Sequence, residues 1–226
     1  MCFSSNASFG AGVVLSVIGV ASIKKAQTSS QVFFASIPLI FAVQQITEGL
    51  LWLALPNPAY STLQSVTTYI FLFFAQILWP IWVPLSILNL ETNAKRRNVH
   101  KAFVAIGTIV SLYLGHCLIS FPVQAKIIGY HISYGQEYPA GLSGYGALLY
   151  MIATIAPPFF SSTKRMWALG STILISYIIT AIFYTGYIVS VWCFFASVIS
   201  IAVLAIMYEI NKSHKALPIQ IPYKLI

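Results

Sequence analysis

One carboxylate sits inside a long apolar run, in Gln44-Gln45-Ile46-Thr47-Glu48-Gly49-Leu50-Leu51-Trp52. Gln44, Gln45 and Trp52 lie three or four residues from Glu48, so a helix gathers all four on one face. A second apolar run holds His116, in Tyr113-Leu114-Gly115-His116-Cys117. A carboxylate opposite an imidazole can pass protons or supply two ligands to a transition metal. Cys2 adds a third group: with Met1 removed, a thiol and a free amine would share one residue. Such a pair can chelate a metal, or act as a nucleophile that carries its own base. Cys2, Glu48 and His116 are thus the candidate catalytic and metal-ligating residues, with a transition metal as the candidate cofactor. Gln44, Gln45, Glu48, Trp52, Gln76, His116 and Trp192 form the expected ligand-binding set. The plainer readings are that Glu48 is a neutral, hydrogen-bonded acid and that His116 links two helices.

These residues must be held by membrane spans. The chain has 226 residues, of which 58% are hydrophobic and 7% charged, against about 25% charged in an ordinary soluble domain. A crossing helix needs roughly 20 apolar residues, and seven such runs are expected at 8–23, 32–55, 63–90, 102–122, 142–161, 166–186 and 189–210. The runs are continuous, not alternating, which excludes a transmembrane β-barrel. The expectation is therefore an all-α integral membrane protein, a seven-helix bundle over residues 1–211 with a tail over 212–226. Pro80 and Pro84 should bend the third span. The segment from Val123 to Gly141 should cap the bundle as a loop or an interfacial helix.

Charge orients the bundle. Every Lys and Arg except Lys126 falls in alternate gaps: Lys24-Lys25, Lys95 to Lys101, Lys164-Arg165, and Lys212 onward. Cytoplasmic loops retain such residues, so the N-terminus is expected outside and the C-terminus inside, in the plasma (inner) membrane. On that topology Glu48 and His116 lie at matching depths, roughly 10 Å below the outer surface at 1.5 Å per residue. Cys117 and Cys193 fall in the same half, and each reads most simply as a small buried hydrophobe. Gln76, with Trp79 and Trp82, should extend the polar face inward. Glu91 and Glu209 read as solvated acids at helix ends, and His131 and Glu137 as surface groups. The net charge of +8 belongs with topology and anionic headgroups, not nucleic acid, because no basic patch with interleaved aromatics exists. The last span carries no lysine, so no retinal Schiff base is expected.

The opening Met1-Cys2-Phe3-Ser4, followed by Ala7-Ser8-Phe9 and Gly12, resembles a family of small multi-pass bacterial membrane proteins of unknown function. Gln44-Gln45, Glu48-Gly49, Trp52, Trp79-Pro80 and Ser190-Val191-Trp192-Cys193-Phe194-Phe195 also look like its motifs. The resemblance implies an inner-membrane protein and brings no activity. Three functions stay open from the residues themselves. One is an outward-facing polar pocket that binds an ion or small ligand. The others are a metal-dependent or N-terminal-cysteine membrane enzyme, and an accessory subunit without a site. The lipid bilayer is the expected partner, and the sequence sets no oligomeric state.

Overall fold

The computed structural model describes residues 4–138 and 143–216, and their side chains except at 143–144, 193–194 and 213–216. α1 (Ser5–Ile23) begins at Ser4, whose hydroxyl accepts from the Ala7 N–H at 3.3 Å. α2 (Ser29–Ala35) and α3 (Ile37–Ala54) run on from each other through Ser36. α4 (Ser61–Leu72), a π-helical segment (Phe73–Leu78) and α5 (Trp79–Leu90) form one long unit. α6 (Ala94–Ser120) starts earlier than its apolar run because Asn93 caps it, its Oδ1 accepting from the Lys95 and Arg96 N–H groups. A hairpin of β1 (Val123–Ile128) and β2 (His131–Gln136) follows. α7 (Ser143–Ile155), the short α8 (Pro157–Phe160), α9 (Met166–Phe183), α10 (Ile188–Phe194) and α11 (Ala196–Ala216) complete the chain.

Five helical stretches are long and apolar enough to cross a bilayer: Ser5–Ile23, Ser29–Ala54, Pro58–Leu90, Ala94–Ser120 and Met166–Phe183. This is the architecture of a mainly helical, multi-pass membrane protein. The two remaining expected spans take other forms. Residues 142–161 give two short helices, because Pro157 and Pro158 interrupt the run after Ile155. Residues 189–210 give a bent pair, Thr185–Trp192 and Ala196–Lys212, which meet at 41°. α11 continues to Ala216, so the boundary expected at 211 falls inside a helix. Residues 217–226 of the expected tail lie outside the described residues.

The segment after α6 is neither a loop nor an interfacial helix but an antiparallel hairpin in which Ile128 faces His131. Gly129, at φ +60°, takes the first central position of its two-residue turn, the place a type II′ turn gives to glycine. The hairpin packs back onto the bundle: Ile132 is fully buried, and Tyr134 stacks on Phe71 with centroids 4.9 Å apart.

The opposite pole is the basic one. The Asn211 amide donates to the Lys25 carbonyl at 3.0 Å, and Lys25 lies over the Tyr208 ring. Lys164 and Arg165 pair with Glu209 at 3.0 and 3.7 Å, and Arg96 donates to the Ser161 carbonyl at 2.7 Å. These contacts bring the charged gaps to one end of the bundle, as the alternation predicts.

Proline explains the π-helical segment. Pro84 has no N–H to give the Pro80 carbonyl, and Pro80 has none to give the turn before it. Carbonyls of this segment find side chains on other helices, as loosened backbone at membrane depth must. Ser111 Oγ donates to the Ile77 carbonyl at 2.7 Å, and the Tyr150 hydroxyl to the Ala75 carbonyl at 2.6 Å. The widened turn also thrusts Gln76 inward.

Candidate functional site

The polar face of α3 turns inward, as its spacing predicts. Gln44, Gln45 and Glu48 are buried and Trp52 half-buried. The face does not line one pocket, however. Gln44 Oε1 accepts from the Trp79 indole N–H at 2.8 Å, and Glu48 accepts from Ser190 Oγ at 2.6 Å. Each contact joins α3 to a different helix, α5 in one case and α10 in the other.

His116 is not opposite Glu48. It sits on the exposed face of α6, where its Nδ1 lies 3.4 Å from the Ser120 hydroxyl. The buried face of α6 runs through Gly107, Val110, Ser111, Cys117 and Leu118, one residue out of step with His116. Glu48 and His116 of the expected set are therefore not brought together. Cys2 lies outside the described residues, as does the side chain of Cys193, and Cys117 is a buried free thiol. Among the described residues no three His, Cys, Asp or Glu side chains gather as metal ligands. His116→Ala should change stability by no more than about 0.5 kcal/mol, as surface substitutions do. A thermal melt in detergent checks this, and a larger drop would reveal a partner for the imidazole.

What the helices do enclose is a cavity of about 330 Å³ lined by α2, α3, the π-helical segment, α5, α6, α7, α9, α10 and α11. Pockets for small molecules begin near 300 Å³. Two expected residues, Gln76 and Trp192, line it; Gln44, Gln45, Glu48, Trp52 and His116 do not. Its wall is aromatic and aliphatic. Trp79 stacks on Phe41 with centroids 3.9 Å apart, and Trp192 lies 5.9 Å from the Tyr150 ring and 5.5 Å from Tyr177. The polar atoms of the indoles point away: Trp79 Nε1 toward Gln44, and Trp192 Nε1 to Ser176 Oγ at 3.0 Å. No Asp, Glu, Lys, Arg or His among the described residues lines the space.

The cavity has two unlike ends. Fully buried Phe34, Ile87 and Leu169 close the end nearer the basic pole. Half-buried Tyr113, Tyr138 and Ile188 and exposed Ala147 border the other, on the hairpin side. Ala75 and Ile87 both line it, so at 1.5 Å per residue it extends roughly 18 Å along the bundle. Its polar groups cluster at the open end. The Tyr138 hydroxyl donates to Gln76 Oε1 at 2.8 Å, and Gln76 Nε2 donates to Gln136 Oε1 at 2.7 Å. Burial pushes the Tyr138 hydroxyl up to about 12, against the Gln76 hydrogen bond, so it is a neutral donor. Tyr113 and Tyr150 are the lining residues that sequence reasoning passed over. Both lie well inside an apolar run, away from the interfacial belt where tyrosines usually anchor, and that was the available signal.

A second buried cluster was also missed. Glu91, expected as solvated, is 2% exposed, and its carboxylate accepts from Ser162 and Asn93 beside the fully buried His100. Glu209, by contrast, keeps a partly exposed side chain between Lys164 and Arg165.

A model of a family of unknown function (DUF6629) matches residues 1–217 of the chain. No curated protein and no solved structure matches it.

Proposed function

Because the chain belongs to this family of unknown function, we propose from its own geometry that it is a plasma-membrane protein that binds a small, mainly apolar molecule inside its helical bundle. The observation that carries this reading is the cavity itself: 330 Å³, walled by aromatic and aliphatic side chains, and closed at one end. A space that ends at Phe34, Ile87 and Leu169 holds a ligand; it does not conduct one through. An ion is the poorer occupant, because no carboxylate or imidazole faces the space and uncompensated charge in such a wall is costly. In the bilayer, α7 with α8 and the bent pair α10–α11 complete seven crossings, with the basic pole in the cytoplasm. The open end of the cavity then faces outward.

The test is saturable binding in lipid nanodiscs. Replacing Trp52, Trp82 and Trp167 by Phe leaves Trp79 and Trp192, the two indoles in the cavity wall. A terminally brominated decane should quench these two and saturate at one molecule per chain. Ile173 lines the cavity, so Ile173→Phe should fill it and weaken saturable binding about tenfold or more without lowering the melting temperature. Quenching that rises linearly with probe, identical in both proteins, would be simple partitioning and would refute the reading.

A further inference from the structure

The two ends of the cavity differ in a way that selects a ligand class. Along the shaft every indole N–H is committed behind the wall, and Thr154 Oγ1 donates to the Tyr150 carbonyl at 2.8 Å. The Tyr177 ring apart, the shaft therefore offers a guest apolar contact. At the open end the half-buried Tyr113 lines the cavity with its hydroxyl oxygen buried, and among the described residues no nitrogen or oxygen takes its proton. Its hydrogen-bond partner is the thiol of Cys117, one turn along and a weak acceptor. A phenol buried in this state costs free energy unless something accepts its proton, because the group has been taken from water without replacement. Gln76 and Tyr138 lie at the same end but are engaged with each other. The open end thus presents a phenol held only by a weak acceptor, and with no cation among the described lining residues an anion has no counter-charge.

We infer that the ligand is a neutral single-chain amphiphile, a long-chain alcohol or ketone, whose oxygen accepts from the Tyr113 hydroxyl while its chain runs down the shaft toward Ile87 and Leu169. This deepens the cavity-binding reading and rests on it. The dimensions agree: a shaft of roughly 18 Å is long enough for an extended decyl chain. Orientation follows from the ends, because the closed end has no polar group to receive a head.

The probes are terminally brominated decane, decanol, decanoate and decyl-trimethylammonium, read by quenching of Trp79 and Trp192 as above. Tyr113→Phe should weaken decanol binding about three- to tenfold, the value of one hydrogen bond, and leave decane binding unchanged. Comparing each probe between the two proteins cancels its partitioning into the bilayer. Decanol binding that is unaffected by Tyr113→Phe overturns the head-group assignment, while saturable decane binding would keep the cavity reading intact. Tighter binding of decanoate or decyl-trimethylammonium than of decanol overturns neutrality. No saturable binding of any probe would sink the cavity reading itself. Photo-crosslinking of the unsubstituted protein tests orientation without any variant. A decanol with a diazirine at its chain end should label peptides containing Ile87 and Leu169. One with the diazirine beside the hydroxyl should label those containing Tyr113 and Tyr138, and the reverse pattern refutes the proposal.

Discussion

Gly107→Ala should prevent stable folding of the bundle, at a cost of about 3 kcal/mol or more, the upper range for overpacking. A Cβ built at Gly107 would sit 1.8 Å from the Pro80 carbonyl oxygen and 2.7 Å from its carbon. Those atoms are backbone, so no side chain can rotate to make room. The close approach has a physical origin. Pro84 cannot donate to the Pro80 carbonyl, and the Cα–H groups of a glycine are the weak donors that can reach it. α6 therefore docks on the proline-broken unit at its weakest point, with Ser111 capping the Ile77 carbonyl one turn along. Gly115 supplies the control on the same helix. A Cβ there would meet only the Ile77 side chain, at 3.3 and 3.7 Å, which can shift. Gly115→Ala should cost under about 1 kcal/mol. Reversible unfolding in detergent mixtures, followed by circular dichroism, gives both values. Equal, small losses would show that the α5–α6 contact is not constrained as described.

How much of this could be read from the chain is clearest at such positions. Gly115 beside His116 invites the idea of a close helix approach, yet the tight contact is at Gly107, two turns away. Nothing in the sequence marks which glycine meets a carbonyl, because that depends on the rotation of α6 against α5. The same rotation defeats the pairing of Glu48 with His116. Residue counts set an expected depth and carry no azimuth; azimuth follows from which face of α6 packs, and a nearly uniform apolar helix carries little information on it. On α3 the pattern did decide the face, because Gln44, Gln45 and Glu48 must be buried and their spacing allows one solution. The hairpin was obscured by its composition, rich in Tyr and Gly, although Gly129 stands where a two-residue turn takes one. The cavity itself was not legible. Its lining comes from eight α-helices and the π-helical segment and is almost wholly apolar, so each contributor looks like ordinary core.

Glu91→Ala should destabilise the protein by about 3 kcal/mol, the range for breaking a buried charged network. Glu91 Oε1 accepts from the Asn93 N–H at 2.9 Å and from Ser162 Oγ at 2.5 Å, and Oε2 accepts from the Ser162 N–H at 2.7 Å. His100 Nε2 lies 3.8 Å from Oε2, with both residues buried. Arg97 donates to the Glu91 carbonyl at 3.2 Å and Arg96 to that of Ser161 at 2.7 Å, so the α5–α6 turn and the segment after α8 are sewn together. Alanine leaves three part-buried donors without their acceptor, whereas Glu91→Gln keeps one amide oxygen and should cost less. The same network gives a pH signature. Burial pushes the Glu91 carboxyl up, but the hydrogen bonds from Ser162 and Asn93, aided by His100, outweigh it and hold the group below its ordinary value. A folded value below the unfolded one means the contribution is complete above the ordinary glutamate value, about 4.3, and is lost as pH falls through the lower folded value. Unfolding measured from pH 7 downward should show this loss in the unsubstituted protein and not in Glu91→Ala. Glu48, Glu137 and Glu209 are common to both proteins, so any loss they cause cancels in the difference. Parallel curves for the two proteins would mean that the Glu91 carboxylate does not hold the basic pole together.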